Sequence, residues 1–137
     1  RESIKKAESG IYDNLTLRQA TTQFSEYSVF KKFGAYQEVH SPREFKFKEG
    51  LNTHCKYRVS NMVSDPAPGK FDVIFCRNVL IYFDTTLKKK MLQKFYDALN
   101  PGGYLVIGYF DAILPVLDKD QWDYYNLSAK TFQKKEL

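Results

Sequence analysis

The chain has 137 residues and a formal charge of +5, with 43% hydrophobic and 16% aromatic side chains. That length allows one domain or part of one, and the composition excludes a disordered tail. No apolar run approaches the roughly 18 residues of a membrane-spanning helix, no signal-peptide pattern opens the chain, and the basic residues are too dispersed for a nucleic-acid patch.

Arg1 rather than Met stands first, so the expectation is that processing, proteolysis or deliberate truncation removed something upstream. Residues 1–9 predict a short helix with Ile4 and Ala7 at helical spacing, closed by Gly10. A second helix is expected over about 16–32, where Leu17, Ala20, Phe24, Tyr27 and Phe30 recur every three or four residues. Such an aromatic stripe can stack bases, but at this spacing it reads as core. Gly34 ends the helix. Two alternating runs, 36–39 and 44–48, joined by His40-Ser41-Pro42-Arg43, read as a β-hairpin within about 35–50. Phe45 and Phe47 would face one way and Lys46 and Lys48 the other, either as a solvated face or as a basic surface for an acidic protein partner.

Residues 55–59 alternate again and predict a strand running into Asn61 and Met62. Two cysteines, Cys55 and Cys76, are too few for a disulfide framework and lack paired metal spacing. His54 beside Cys55 offers two adjacent ligands without companions, so no metal site is expected, and a reduced, cytoplasmic setting fits best. The Pro- and Gly-containing segment 64–69 is a loop.

Phe71-Asp72-Val73-Ile74-Phe75-Cys76 is a nearly continuous apolar run, the pattern of a strand buried on both faces of a parallel sheet. Asp84 stands as the N-cap of a helix carrying Leu87, Met91, Phe95 and Leu99 at successive four-residue steps. Lys88, Lys89 and Lys90, the densest basic cluster, fall on that helix and read as a solvated face. Asn100-Pro101-Gly102-Gly103 stops it, and residues 104–109 give the next buried strand. Strand, helix and strand over 71–109 make a crossover unit and an α/β core. The stretch 122–134 predicts a last strand or strand pair at a sheet edge.

Ligands of open α/β sheets bind beyond the carboxyl ends of the strands. That rule selects Asn61 and Met62 after one strand, and Arg77, Asn78 and Tyr82 after the next. A guanidinium, a carboxamide and a phenol are more than a connector needs, although loop capping by Arg77 and Asn78 and simple packing of Tyr82 would also account for them.

The stretch FDVIFCRNVLIYFD, followed by LNPGGYLVIG, resembles the most diagnostic block of the CheR chemotaxis-receptor methyltransferases. Gly10-Ile11-Tyr12 after a helix, the hairpin, and Asn61-Met62 agree in order. The resemblance runs along essentially the whole chain, but corresponds only to the carboxyl-terminal half of a Rossmann-like catalytic domain with a small inserted β-subdomain. It implies transfer of a methyl group from S-adenosyl-L-methionine to glutamate side chains of chemoreceptors, releasing S-adenosyl-L-homocysteine. It also implies that Asn61 and Met62 contact the cofactor's nucleoside, that Arg77 and Asn78 line the donor pocket, and that Tyr82, with Arg77, serves the reacting carboxylate.

Two departures accompany it. The family's glycine-rich cofactor loop, its ribose-binding acid and an arginine near the reacting carboxylate have no counterpart in this sequence. The family's Gly-His-Ser-Glu after the strand at 104–109 reads here Gly108-Tyr109-Phe110-Asp111. The expectation is a fragment inactive alone, which associates with its missing half or with itself through an uncovered sheet edge. The alternative is a non-catalytic receptor- or protein-binding module built on the same fold.

Overall fold

The computed structural model of the chain describes residues 1–27 and 32–136 and divides into two compact units, Arg1–Ser60 and Asn61–Leu137.

The first unit is built around aromatic side chains. Helix α1 (Glu2–Ser9) ends at Gly10, whose φ of 65° is the left-handed conformation that closes a helix. Strand β1 (Ile11–Asp13) follows, and its last residue caps the next helix. The Asp13 carboxylate accepts from the Thr16 amide at 2.8 Å and from the Thr16 hydroxyl, and these bonds hold its pKa below the usual value. Helix α2 (Asn14–Tyr27) begins two residues earlier than the apolar periodicity predicts. It does not continue to residue 32, since Lys32 is extended ahead of a short 3-10 turn over Phe33–Ala35. Of the expected apolar stripe, Phe30 and the side chains of Phe24 and Tyr27 lie outside the described residues.

The predicted hairpin is present as β2 (Gln37–Ser41) and β3 (Glu44–Phe47), antiparallel, with an irregularity between Val39 and Ser41. Strand β1, for which the sequence predicts no strand, also pairs with β3, which gives the order β1-β3-β2. Three residues without apolar alternation carry little strand signal; the pairing comes from β3. Phe45 is buried and packs on Tyr12, Phe33 and Phe47, with ring centroids 5.5–6.3 Å apart. The expected strand at 55–59 is absent: its residues are exposed, and none of the described strands lies alongside to complete its hydrogen bonds.

The second unit contains the strand, helix and strand expected over 71–109. Strand β4 (Phe71–Cys76) pairs in parallel with β5 (Leu99–Ile107), and helix α3 (Thr85–Ala98) connects them. Asp84 caps α3 by accepting from the Leu87 amide at 2.8 Å. At the other end Lys134 places its ammonium 2.8 and 2.9 Å from the carbonyls of Tyr96 and Leu99, a cation on the negative end of the helix dipole. The predicted strand pair is β6 (Trp122–Asn126) and β7 (Thr131–Lys134), and the sheet order is β4-β5-β7-β6. Met91, Leu92 and Phe95 of α3 bury Cys76, Leu105, Ile107, Trp122 and Phe132 on one sheet face.

The opposite face differs from expectation. Val73 is 43% and Phe75 72% exposed, so β4 is covered on one face only among the described residues. The apolar run forecasts two covers, and the described elements supply one.

Candidate functional site

Sequence forces the chain to turn sharply after β4. Cys76 is the last buried residue of the strand, and Arg77 and Asn78 emerge exposed. Asn78 has φ 59°, a left-handed conformation that Asn tolerates better than most residues with a side chain. The backbone then enters a 3-10 turn over Leu80–Tyr82. Leu80 is fully buried and anchors the turn, whereas Tyr82 is 81% exposed. The turn therefore holds the phenol out beyond the sheet while its neighbour is locked in the core.

Asp111 fixes this loop from the end of β5. Its carboxylate is 2% exposed, yet it accepts three backbone N–H groups: Asn78 at 2.8 Å, Ile81 at 3.0 Å and Gly108 at 2.7 Å. Hydrogen bonds to a charged acceptor contribute about 1.5–3 kcal/mol each, and a buried carboxylate with fewer partners would be costly. Gly108 is required by close approach, since a Cβ there would lie 2.2 Å from Asn78 Oδ1 and 2.5 Å from its amide nitrogen. The two loops that leave the parallel pair are thus joined through one acidic side chain.

Asn61 and Met62 sit on a separate loop. The Asn61 Oδ1 accepts the amides of Val63 at 2.9 Å and Ser64 at 3.3 Å, an Asx-type turn. Lys94 of α3 donates to the Met62 carbonyl at 2.6 Å and also to that of Asp65, which pins the loop to the helix. Met62 packs against the core cluster, whereas Asn61 is exposed. Among the described residues no hydrogen bond joins Asn61 or Met62 to residues 77–82. The structure therefore brings Arg77, Asn78 and Tyr82 onto one loop and leaves Asn61 and Met62 on another.

Four of the five candidates, Asn61, Arg77, Asn78 and Tyr82, are exposed, and Met62 is half-buried. An open groove of about 820 Å³ runs between residues 63–70 and α3, and a cavity of about 340 Å³ is lined by Ile107, Asp111, Ile113, Leu114 and Lys130. Neither takes in Asn61, Arg77, Asn78 or Tyr82. Burial, reinforced by the Asp111 charge, pushes the Cys76 thiol up to about 11, so it is no nucleophile near neutrality. Among the described residues no cluster of three or more His, Cys, Asp or Glu could hold a metal.

Sequence reasoning missed Asp111 as a supporting residue. Its signal was there: one acidic side chain four residues beyond the end of a buried strand. Two of its three partners, however, are backbone groups 30 and 33 residues away.

A parallel strand pair with a connecting helix, polar groups at its carboxyl ends, and an antiparallel pair appended to β5 define an α/β sheet of the kind that binds ligands at its strand ends. Residues 1–128 match the family described as CheR methyltransferase, SAM binding domain, and the chain belongs to that family. It is similar to the chemotaxis protein methyltransferase of Vibrio parahaemolyticus, 34% identical over 117 residues that make up 85% of this chain and 40% of that protein. Chemotaxis protein methyltransferase 1 of Vibrio cholerae is 37% identical over 112 residues, covering 81% and 38%. The chemotaxis protein methyltransferase of Escherichia coli strain K12 is 32% identical over 110 residues, covering 79% and 37%. The chain thus spans at most 40% of the length of these curated relatives.

Proposed function

We propose that this chain is the carboxyl-terminal, donor-binding part of a protein-glutamate O-methyltransferase acting in the cytoplasm on the cytoplasmic domain of a chemoreceptor. The observation that carries the proposal is the parallel β4–β5 pair whose ends present Arg77, Asn78 and Tyr82 on a loop held by Asp111. The unit Arg1–Ser60 contains the hairpin of about 35–50 and is read as the inserted β-subdomain. Free thiols at Cys55 and Cys76 agree with a reducing compartment.

The residues present fit the polar groups of S-adenosyl-L-methionine. The exposed Arg77 guanidinium makes no hydrogen bond or ion pair among the described residues and is open to a carboxylate. Asn61 uses its Oδ1 on its own turn, which leaves Nδ2 to donate to the nucleoside together with contacts from Met62. Asn78 stands on the same loop as Arg77, and the bare Gly108 lets that loop pack closely against the end of β5.

When bound, this donor supplies a methyl group on a positively charged sulphur, which a carboxylate takes by in-line displacement to give a methyl ester and S-adenosyl-L-homocysteine. A glutamate carboxylate is ionised at neutral pH and needs no general base. The work left to the protein is positioning and exclusion of water. Arg77 draws the acidic substrate side chain to the sheet edge. Tyr82 orients it by hydrogen bonding through its hydroxyl.

The test is methyl transfer from labelled S-adenosyl-L-methionine to a purified chemoreceptor cytoplasmic domain. It compares this chain with a protein carrying this sequence extended to the relatives' length. Base-labile label is expected from the extended protein and not from the 137-residue chain alone. Absence of label from both would leave the non-catalytic binding module as the better account.

A further inference from the structure

We infer that Asp111 is a positioning residue of the candidate site: its carboxylate holds the loop of Arg77, Asn78 and Tyr82 at the end of β5 through three backbone N–H groups. The inference rests on the functional reading above only for its consequence in ligand binding; the tether itself is a matter of geometry.

Three observations carry it. First, Asp111 is 2% exposed, and its carboxylate pairs three backbone N–H groups that an apolar side chain would leave without an acceptor. Secondly, its bonds are divided between the loops. Oδ2 accepts from Asn78 and Gly108, and Oδ1 from Ile81, so each oxygen reaches the loop that carries the candidate residues. Thirdly, the backbone is bent to fit. Asn78 takes φ 59°, and Gly108 leaves no room for a Cβ beside the Asn78 amide. Neither accommodation is needed to pair β4 with β5, whose register already ends at Cys76 and Ile107. Both serve to aim N–H groups at one carboxylate.

Besides the tether, the loop is held by Leu80 and by the half-buried Val79 and Phe83, which pack against the core. Arg77 and Tyr82 are exposed, and Leu80 alone buries itself fully in the core between them. Leu80 fixes the depth of the turn, and Asp111 fixes its direction. Removing the carboxylate would leave the fold of the unit, which rests on α3 and the sheet, and release the direction in which the guanidinium and phenol point.

The experiment uses the 137-residue chain for amide hydrogen exchange by NMR and the extended protein for titration with S-adenosyl-L-homocysteine. In Asp111→Asn one acceptor oxygen becomes a donor facing a backbone N–H. Exchange at Asn78 and Ile81 should rise roughly tenfold or more, while amides of Leu105 and Phe132 in the β5–β7 pairing keep their wild-type rates. Affinity for the homocysteine product should fall by roughly tenfold. Asp111→Glu, which keeps both acceptor oxygens, should retain more protection and more affinity than Asp111→Asn. If Asp111→Asn does not fold, Gly108→Ala asks the same question from the other side, because its Cβ would displace the Asn78 amide.

Unchanged exchange at Asn78 and Ile81, or a uniform rise across α3 and β5, would overturn the inference, the latter by making Asp111 a general stabiliser. Should the wild-type extended protein not bind the homocysteine product while exchange behaves as described, the donor-site proposal fails and the tether stands.

Discussion

Leu80 and Tyr82 stand two positions apart and have opposite fates, one fully buried and the other 81% exposed. A 3-10 turn makes this possible by rotating each residue about a third of a turn from the last. An exposed phenol with no described hydrogen bond adds little to folding, so Tyr82→Phe should change stability by less than about 0.5 kcal/mol. In the extended protein the same change should lower kcat roughly tenfold and leave affinity for S-adenosyl-L-homocysteine within twofold. Equal losses in both would make the hydroxyl a uniform binding group. At this scale the sequence is unevenly legible. Asp84 announces itself as a cap because its partner is the Leu87 amide three residues on. Asp111 does not, because its carboxylate meets Asn78 and Ile81 only after β4, α3 and β5 have folded.

Elements were legible where a local pattern suffices. The period of Leu87, Met91 and Phe95 gives α3, and the apolar runs give β4 and β5, since these patterns are written in consecutive residues. Strand β1 and the missing strand at 55–59 were misread for one reason: a strand exists by virtue of its neighbour. Ile11–Asp13 has β3 beside it, and residues 55–59 have no described partner. The same logic bears on β4, where Val73 and Phe75 project from the uncovered face at the sheet edge. Apolar side chains next to an open edge favour association. The chain should therefore self-associate with rising concentration in sedimentation velocity, and Phe75→Lys should shift it towards monomer. A wild-type chain that remains a compact monomer at high concentration would show that this face needs no cover.

Across the whole molecule the two units divide the labour differently. Arg1–Ser60 is an aromatic-cored sheet without a candidate site residue, and the second unit, beginning at Asn61, holds all five. Geometry gives three of them a shared loop. The placement of Asn61 and Met62 on a second loop means that a ligand, if it engages all five, must bridge both. The most direct test is calorimetric titration of S-adenosyl-L-homocysteine into the extended protein, as wild type and as Arg77→Ala and Asn61→Ala. Binding in the wild type, weakened roughly tenfold or more by each substitution on its own loop, is the predicted result. Binding that neither substitution changes would place the donor elsewhere and contradict the account.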